Sequence, residues 1–201
     1  MKLDPFYLII DDARWLERLL PHGLRLVQLR IKDRPETQVR TQIRRAKELC
    51  AKAGATLVIN DYWQIAIEEA CDFIHLGQED LAEADVDAIR KAKCRLGIST
   101  HDPNELDIAL AVKPDYVALG PVFPTTLKQL DWAPQGVARV TEWKKRVGPV
   151  PLVAIGGLNV ERAQSVLEAG ADSAAVSTDV LGNPDPEARA REWVALSRAR
   201  A

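Results

Sequence analysis

The sequence predicts a (β/α)₈ barrel, one domain spanning residues 1–201. Three observations carry the prediction. Eight short apolar runs of β type recur along the chain, helical signals separate them, and the unusual polar residues gather just after the runs. Buried parallel strands read as continuous apolar runs, and strand–helix alternation implies parallel strands joined by right-handed crossovers. In such barrels the functional groups stand at the carboxyl ends of the strands. A doubly wound open sheet is the alternative. Against it, the first run is followed by Asp11-Asp12-Ala13-Arg14 and not by a glycine-rich dinucleotide turn.

The runs are Phe6–Ile10, Arg25–Leu29, Thr56–Asn60, Asp72–Leu76, Arg95–Ser99, Asp115–Leu119, Pro151–Ile155 and Ser173–Ser177. Between them, Glu36–Gly54 reads as a helix stopped by Gly54. Pro103–Val112 reads as another, with Asp102 before it as a plausible cap, and Asn159–Ala169 as a third, opened by Asn159 and closed by Gly170.

Composition is that of an ordinary globular protein, with 47% apolar and 28% charged residues. A net charge of -2 gives no reason to expect nucleic acid or an anionic membrane as partner. No apolar stretch approaches the roughly 18–20 residues needed to cross a bilayer. The opening MKLDPFYLII has no signal-peptide layout. Cys50, Cys71 and Cys94 lack metal-type spacing and are expected to be buried, reduced packing residues, which suits a cytoplasmic location.

The residues after the runs suggest chemistry. Leu57-Val58-Ile59 ends in Asn60-Asp61, and Phe73-Ile74-His75-Leu76 ends in Gly77-Gln78-Glu79-Asp80. On a barrel, Asp61 and Asp80 become two carboxylates on adjacent strand ends, which suits Mg²⁺ held jointly with a substrate phosphate. Alternatively, both aspartates are helix N-caps. After the second run, alternation places Gln28, Arg30 and Lys32 on one side, and the two cations there fit a diphosphate. A solvated basic turn is the plainer reading of the same residues.

Ser99, at the end of the fifth run, could donate to a phosphate or a ring nitrogen. His101 could be an acid–base group, although a Ser-Thr-His-Asp-Pro run is more often turn and cap chemistry. His75, inside an apolar run, reads as a packed histidine, and His22 earns no role. The long Gly120–Gly136 segment suggests a binding loop, with Thr125, Thr126 and Lys128 as phosphate-type donors. Gly156-Gly157 allows backbone N–H groups to approach an anion. Ser177-Thr178-Asp179 opens what reads as a short extra helix, and barrels frequently bind phosphate between these last two loops. Two anion sites across one barrel mouth point to transfer or condensation between phosphorylated molecules more readily than to hydrolysis.

Taken together, QLRIKD, VINDYWQIAI, HLGQEDL, GISTHD, GPVFPTTLK, VAIGGL and GADSAAVSTDV resemble, in this order and spacing, the thiamine phosphate synthase family, from Tyr7 to Trp193. The resemblance implies a (β/α)₈ enzyme joining hydroxymethylpyrimidine diphosphate to hydroxyethylthiazole phosphate, with Mg²⁺, to give thiamine phosphate and diphosphate. It implies Asp61 and Asp80 as metal ligands, and Arg30, Lys32, Asn60 and Lys128 on the diphosphate. It further implies Gln28 and Ser99 on the pyrimidine or its leaving group, and Thr125, Gly157, Ser177 and Thr178 on the thiazole phosphate. The implied route is dissociative, so it needs charge stabilisation and juxtaposed substrates but no strong side-chain base.

Four positions depart from the family pattern. Leu127 stands where the loop usually carries a second Thr, and one hydrogen bond lost to a charged group costs on the order of 1.5–3 kcal/mol. Ser173 stands for the usual Gly, and Ser177-Thr178 for Val-Ser. A related thiazole tautomerase is one alternative. It typically lacks the Arg-x-Lys and Asn-Asp set and places a His in the loop after strand six, where this chain has Pro121. A non-catalytic binder of thiamine precursors is the other, kept open by Leu127.

Overall fold

The eight apolar runs form eight parallel strands, each hydrogen-bonded to the next, with β8 returning to β1 to close the barrel. The structure, a computed structural model, describes residues 2–125 and 132–200. In chain order the strands are β1 (Phe6–Ile10), β2 (Leu26–Leu29), β3 (Thr56–Asn60), β4 (Phe73–Leu76), β5 (Arg95–Thr100), β6 (Tyr116–Leu119), β7 (Leu152–Ile155) and β8 (Ser173–Val176). The helices are α1 (Arg14–Leu19), α2 (Glu36–Ala53), α3 (Trp63–Glu68), α4 (Gln78–Glu83), α5 (Val86–Lys91), α6 (Pro103–Ala111), α7 (Gly136–Val147), α8 (Val160–Glu168), α9 (Thr178–Leu181) and α10 (Pro186–Arg198).

Several sequence-derived strand ends shift by one residue. Arg25 and Pro151 lie just before their strands but still accept bonds from Thr56 N–H (2.7 Å) and Val117 N–H (3.0 Å). At the other end, Thr100 extends β5, because its hydroxyl donates to the Ala118 carbonyl and receives the Trp143 indole N–H.

The helix signals act as expected. Gly54 takes φ 66° at the end of α2, while Asp102 and Asn159 accept N-terminal N–H bonds of α6 and α8. The short extra helix after β8 is α9. All three cysteines are free and buried, and burial pushes the Cys50 thiol up to about 12. No helix among the described residues is long and apolar enough to cross a membrane.

Strand alternation divides the core in two. Leu8, Val27, Ile59, Ile74, Ile98, Val117 and Ala154 face the helices. Tyr7, Leu26, Val58, Phe73, Tyr116, Val153 and Ala175 fill the barrel interior. The same period of two carries Gln28, Asn60, His75 and Ser99 inward towards the carboxyl ends. At the opposite end, loop carboxylates close open strand edges: Asp115 accepts from Leu96 N–H and Asp172 from Leu152 N–H, both at 2.8 Å. Asp172→Ala is expected to cost about 1–3 kcal/mol in urea unfolding, since it strands that N–H and also frees Lys144. A change below a few tenths would refute the edge-closing role.

Ser173, where the family pattern has Gly, is fully buried and donates to the Asp4 carbonyl at 2.7 Å. Its hydroxyl therefore has a structural partner at the amino-terminal end of the barrel, away from the carboxyl-end loops.

Candidate active site

At the carboxyl ends of the strands lies a cavity of about 550 Å³. Arg30, Ser99, Thr125, Gly157, Ser177 and Thr178 all line it, so the end of β2, the end of β5 and the loops after β6, β7 and β8 converge. Thr126, Leu127 and Lys128 lie outside the described residues.

The carboxylate pair is not part of that lining; it follows β3 and β4, the strands next in order after the β2 that carries Arg30. Asp61 follows β3 in a left-handed conformation, φ 65°, which an Asp tolerates better than a bulkier residue. Neither aspartate is the N-cap residue of a helix, although the Asp80 carboxylate accepts a hydrogen bond from the Gly77 N–H at the start of α4. Tyr62 occupies the cap position of α3 without a side-chain bond, and Asp80 lies within the first turn of α4 behind Gly77. Asp61 is instead ion-paired to Lys32. Partial burial holds the Asp80 carboxyl above the usual range, followed by the charge of Asp61 and a hydrogen bond shared with it. A carboxylate resists ionisation in this way when a like charge sits beside it.

Among the described residues, no group of three or more His, Cys, Asp and Glu side chains converges as a closed metal cage. Two hard-oxygen carboxylates that repel one another are nevertheless the donor set Mg²⁺ uses when substrate phosphate and water complete its shell. The residues present fit that ion.

The barrel interior beneath the cavity is polar at its centre. Asn60 is buried, Gln28 Nε2 donates to Tyr7 Oη at 3.0 Å, and Gln78 Nε2 donates to the Ser99 carbonyl at 2.6 Å. His75 is the packed histidine expected, yet both its ring nitrogens have partners: Tyr116 Oη at 2.7 Å and Ser99 Oγ at 2.8 Å. Burial pulls its pKa down to about 4, the nearby Asp61 charge opposing and Arg30 adding to the fall. The ring is neutral at physiological pH. His101 follows its turn-chemistry reading: its backbone N–H and Nδ1 both meet Glu105 Oε2 at 2.7 Å, and its ring stacks on Trp132.

On the far side, Gly156 and Gly157 have φ 97° and 64°. The glycine pair has a packing reason as well as the expected anion reason. A Cβ on Gly157 would lie 2.4 Å from the Pro124 carbonyl oxygen, and one on Gly156 would lie 2.6 Å from Pro121 Cα. Arg162, which sequence reasoning missed, lines the same cavity, donates to the Gly157 carbonyl at 2.6 Å and lies over Phe123. No local pattern marked it, because a cation in the first turn of a helix normally reads as solvated surface. Tyr7 and Tyr116 were missed too. Their one legible signal was a hydroxylated aromatic at inward positions of otherwise aliphatic strands.

Comparison with known proteins adds sequence-wide weight to this geometry. Residues 6–180 match the family described as thiamine monophosphate synthase. The chain belongs to that family. It is 67% identical over 197 residues to the thiamine-phosphate synthase of Rhizobium etli, covering 98% of this chain and 97% of the relative. It is 51% identical to that of Cronobacter sakazakii over 179 residues, covering 89% and 85%. Among solved structures, thiamine phosphate pyrophosphorylase from Pyrococcus furiosus superposes with a TM-score of 0.87 at 25% identity, covering 98% of this chain and 96% of that one. Membership makes the chain a transferase of the diphosphorylase type. These relatives carry the synthase name, not that of the tautomerase or of a binding protein.

Proposed function

We propose that this chain condenses hydroxymethylpyrimidine diphosphate with hydroxyethylthiazole phosphate, giving thiamine phosphate and diphosphate, and that it does so with Mg²⁺ on Asp61 and Asp80. The observation that carries the reading is the two-sided cavity. Arg30 lines it from the end of β2, the strand followed in the barrel by those that precede Asp61 and Asp80, and Thr125, Gly157, Ser177 and Thr178 line it from the loops after β6, β7 and β8.

In this reading Arg30, Lys32 and Asn60 hold the diphosphate, joined by Lys128 from the loop after β6. Arg30 supplies a planar fork and Lys32 a point charge. Lys32 also pairs with Asp61, holding a hard-oxygen ligand in place beside the diphosphate cations. Bound there, Mg²⁺ would neutralise charge on the departing diphosphate. Gln28 and Ser99 orient the pyrimidine and its leaving group. Thr125, Ser177, Thr178 and the N–H of Gly157 hold the thiazole phosphate so that the two substrates stay in contact. The buried polar centre supplies fixed dipoles where the pyrimidine cation develops. The same reading expects one barrel domain over residues 1–201, in the cytoplasm, acting on phosphorylated small molecules without nucleic acid or membrane partners.

The test uses purified protein, both precursors and Mg²⁺, with detection of thiamine phosphate. Product that disappears with EDTA is the expected outcome. Folded protein that binds both precursors but yields no product, even at high thiazole phosphate, would replace the synthase by a precursor-binding protein.

A further inference from the structure

Gln28, Tyr7, Tyr116, His75 and Ser99 form one hydrogen-bonded chain through the barrel interior. Its links are Gln28 Nε2 to Tyr7 Oη (3.0 Å), Tyr7 Oη to Tyr116 Oη (3.0 Å), Tyr116 Oη to His75 Nδ1 (2.7 Å) and His75 Nε2 to Ser99 Oγ (2.8 Å). Tyr7, Gln28, His75 and Tyr116 are all at most 7% exposed. The last link, taken alone, looks like a serine nucleophile beside its histidine base.

The rest of the chain reverses that reading. An amide nitrogen can only donate, so Tyr7 Oη accepts from Gln28 and passes its single hydrogen to Tyr116 Oη. Tyr116 in turn passes its hydrogen to His75 Nδ1, which must therefore present a lone pair. Both ring nitrogens face neutral hydroxyls in the buried interior, so the imidazole is neutral and carries its proton on Nε2. That proton goes to Ser99 Oγ. The Ser99 hydrogen is left over, and Ser99 lines the cavity.

We infer that Tyr116 is a positioning residue that fixes the direction of this chain, holding His75 as the Nε2–H tautomer and making Ser99 a hydrogen-bond donor to the substrate, not a nucleophile. The acceptor is a ring nitrogen or a diphosphate oxygen; only this assignment rests on the proposed function. Successive donation in one sense also polarises each link and strengthens the last hydroxyl as a donor. The phenol is built into place. A Cβ on Gly97 would lie 2.1 Å from Tyr116 Cζ, so Tyr116 requires a glycine on the neighbouring strand. Its ring stacks on His75 with centroids 5.5 Å apart and meets Tyr7 edge-on at 6.0 Å.

The test reads the tautomer directly. Heteronuclear NMR of histidine-labelled, substrate-free protein at neutral pH should show the His75 proton on Nε2, the resonance being identified by its loss in His75→Asn. Tyr116→Phe should shift the population towards Nδ1–H and lower kcat by about ten- to a hundredfold, as expected for one buried hydrogen-bond partner removed. Should Tyr116→Phe fold poorly, Tyr7→Phe cuts the chain one link earlier; it frees the Tyr116 oxygen to accept and should give a mixed tautomer population. Intact-mass analysis with the diphosphate substrate should detect no adduct on Ser99. A proton on Nδ1 in the unmodified protein, an unchanged tautomer in the folded Phe variants, or a Ser99 adduct would each overturn the inference. The tautomer measurement uses no substrate, so failure of the proposed reaction and failure of this inference are read separately.

Discussion

Asp80→Asn is expected to abolish Mg²⁺-dependent turnover while raising the melting temperature of the free protein. The two effects share one cause. Asp80 and Asp61 share a hydrogen bond when Asp80 is protonated and repel one another when both are ionised, and this neighbour together with partial burial holds the Asp80 pKa above its ordinary 3.8. A carboxyl whose folded pKa lies above the unfolded value binds more protons in the folded state. Stability is therefore lost as pH rises from 3.8 through the raised value. Asparagine keeps the shape and removes the repelled charge. The expected gain at neutral pH is small, roughly 1–3 °C, because the carboxyl is largely solvated and screened. It should vanish in acid below the unfolded pKa. Turnover should fall by at least roughly 100-fold if the proposed metal assignment holds, since one of its two carboxylate ligands is gone. Asp61→Asn should cost as much turnover without the gain in stability, because it also removes the partner of Lys32. Normal Mg²⁺-dependent activity in either variant would sink the metal assignment. Thermal unfolding at two pH values and a Mg²⁺ titration of activity are sufficient.

Gly157→Ala should be the most damaging single-methyl change at the proposed thiazole-phosphate side of the cavity. At φ +64° an alanine sits in the left-handed region, and its Cβ would press on the Pro124 carbonyl oxygen at 2.4 Å and on Phe123 Cβ at 2.8 Å. Backbone strain and overpacking together amount to roughly 2–4 kcal/mol in urea unfolding. The Phe123–Pro124 segment would be displaced, and Thr125 with it, so KM for the thiazole phosphate should rise more than KM for the pyrimidine diphosphate. Gly54→Ala is the control. Gly54 has nearly the same φ, +66°, but nothing within 4 Å, so only the backbone cost of about 1 kcal/mol should appear. Equal losses in the two variants would mean that packing against the loop contributes nothing.

The strands were legible because burial on both faces leaves an uninterrupted apolar run, and each run ends where the chain meets water. Their boundaries moved by one residue where a terminal group such as Arg25 or Pro151 keeps a single backbone bond outside the ladder. The caps Asp102 and Asn159 were legible because capping is local, made within three residues of the helix start. Asp61 and Asp80 could be read two ways for the same reason: an aspartate after a strand looks alike whether its carboxylate turns to a helix or to a neighbouring strand.

By itself, the sequence determined the barrel, the order of its strands and which short stretches reach the carboxyl-end rim. Period, polarity and turn chemistry are local properties, and the family motifs travel with them. Only the tertiary structure decided who meets whom across the barrel. Lys32 pairs with Asp61 across 29 positions, Tyr116 with Tyr7 across 109, and Gly97 on β5 makes room for Tyr116 on β6. Such contacts depend on closure of the sheet, which brings β1 and β6 to face each other through a shared interior. The direction of a hydrogen-bond chain depends on every member being present at once, and no short stretch of sequence contains more than one member of it.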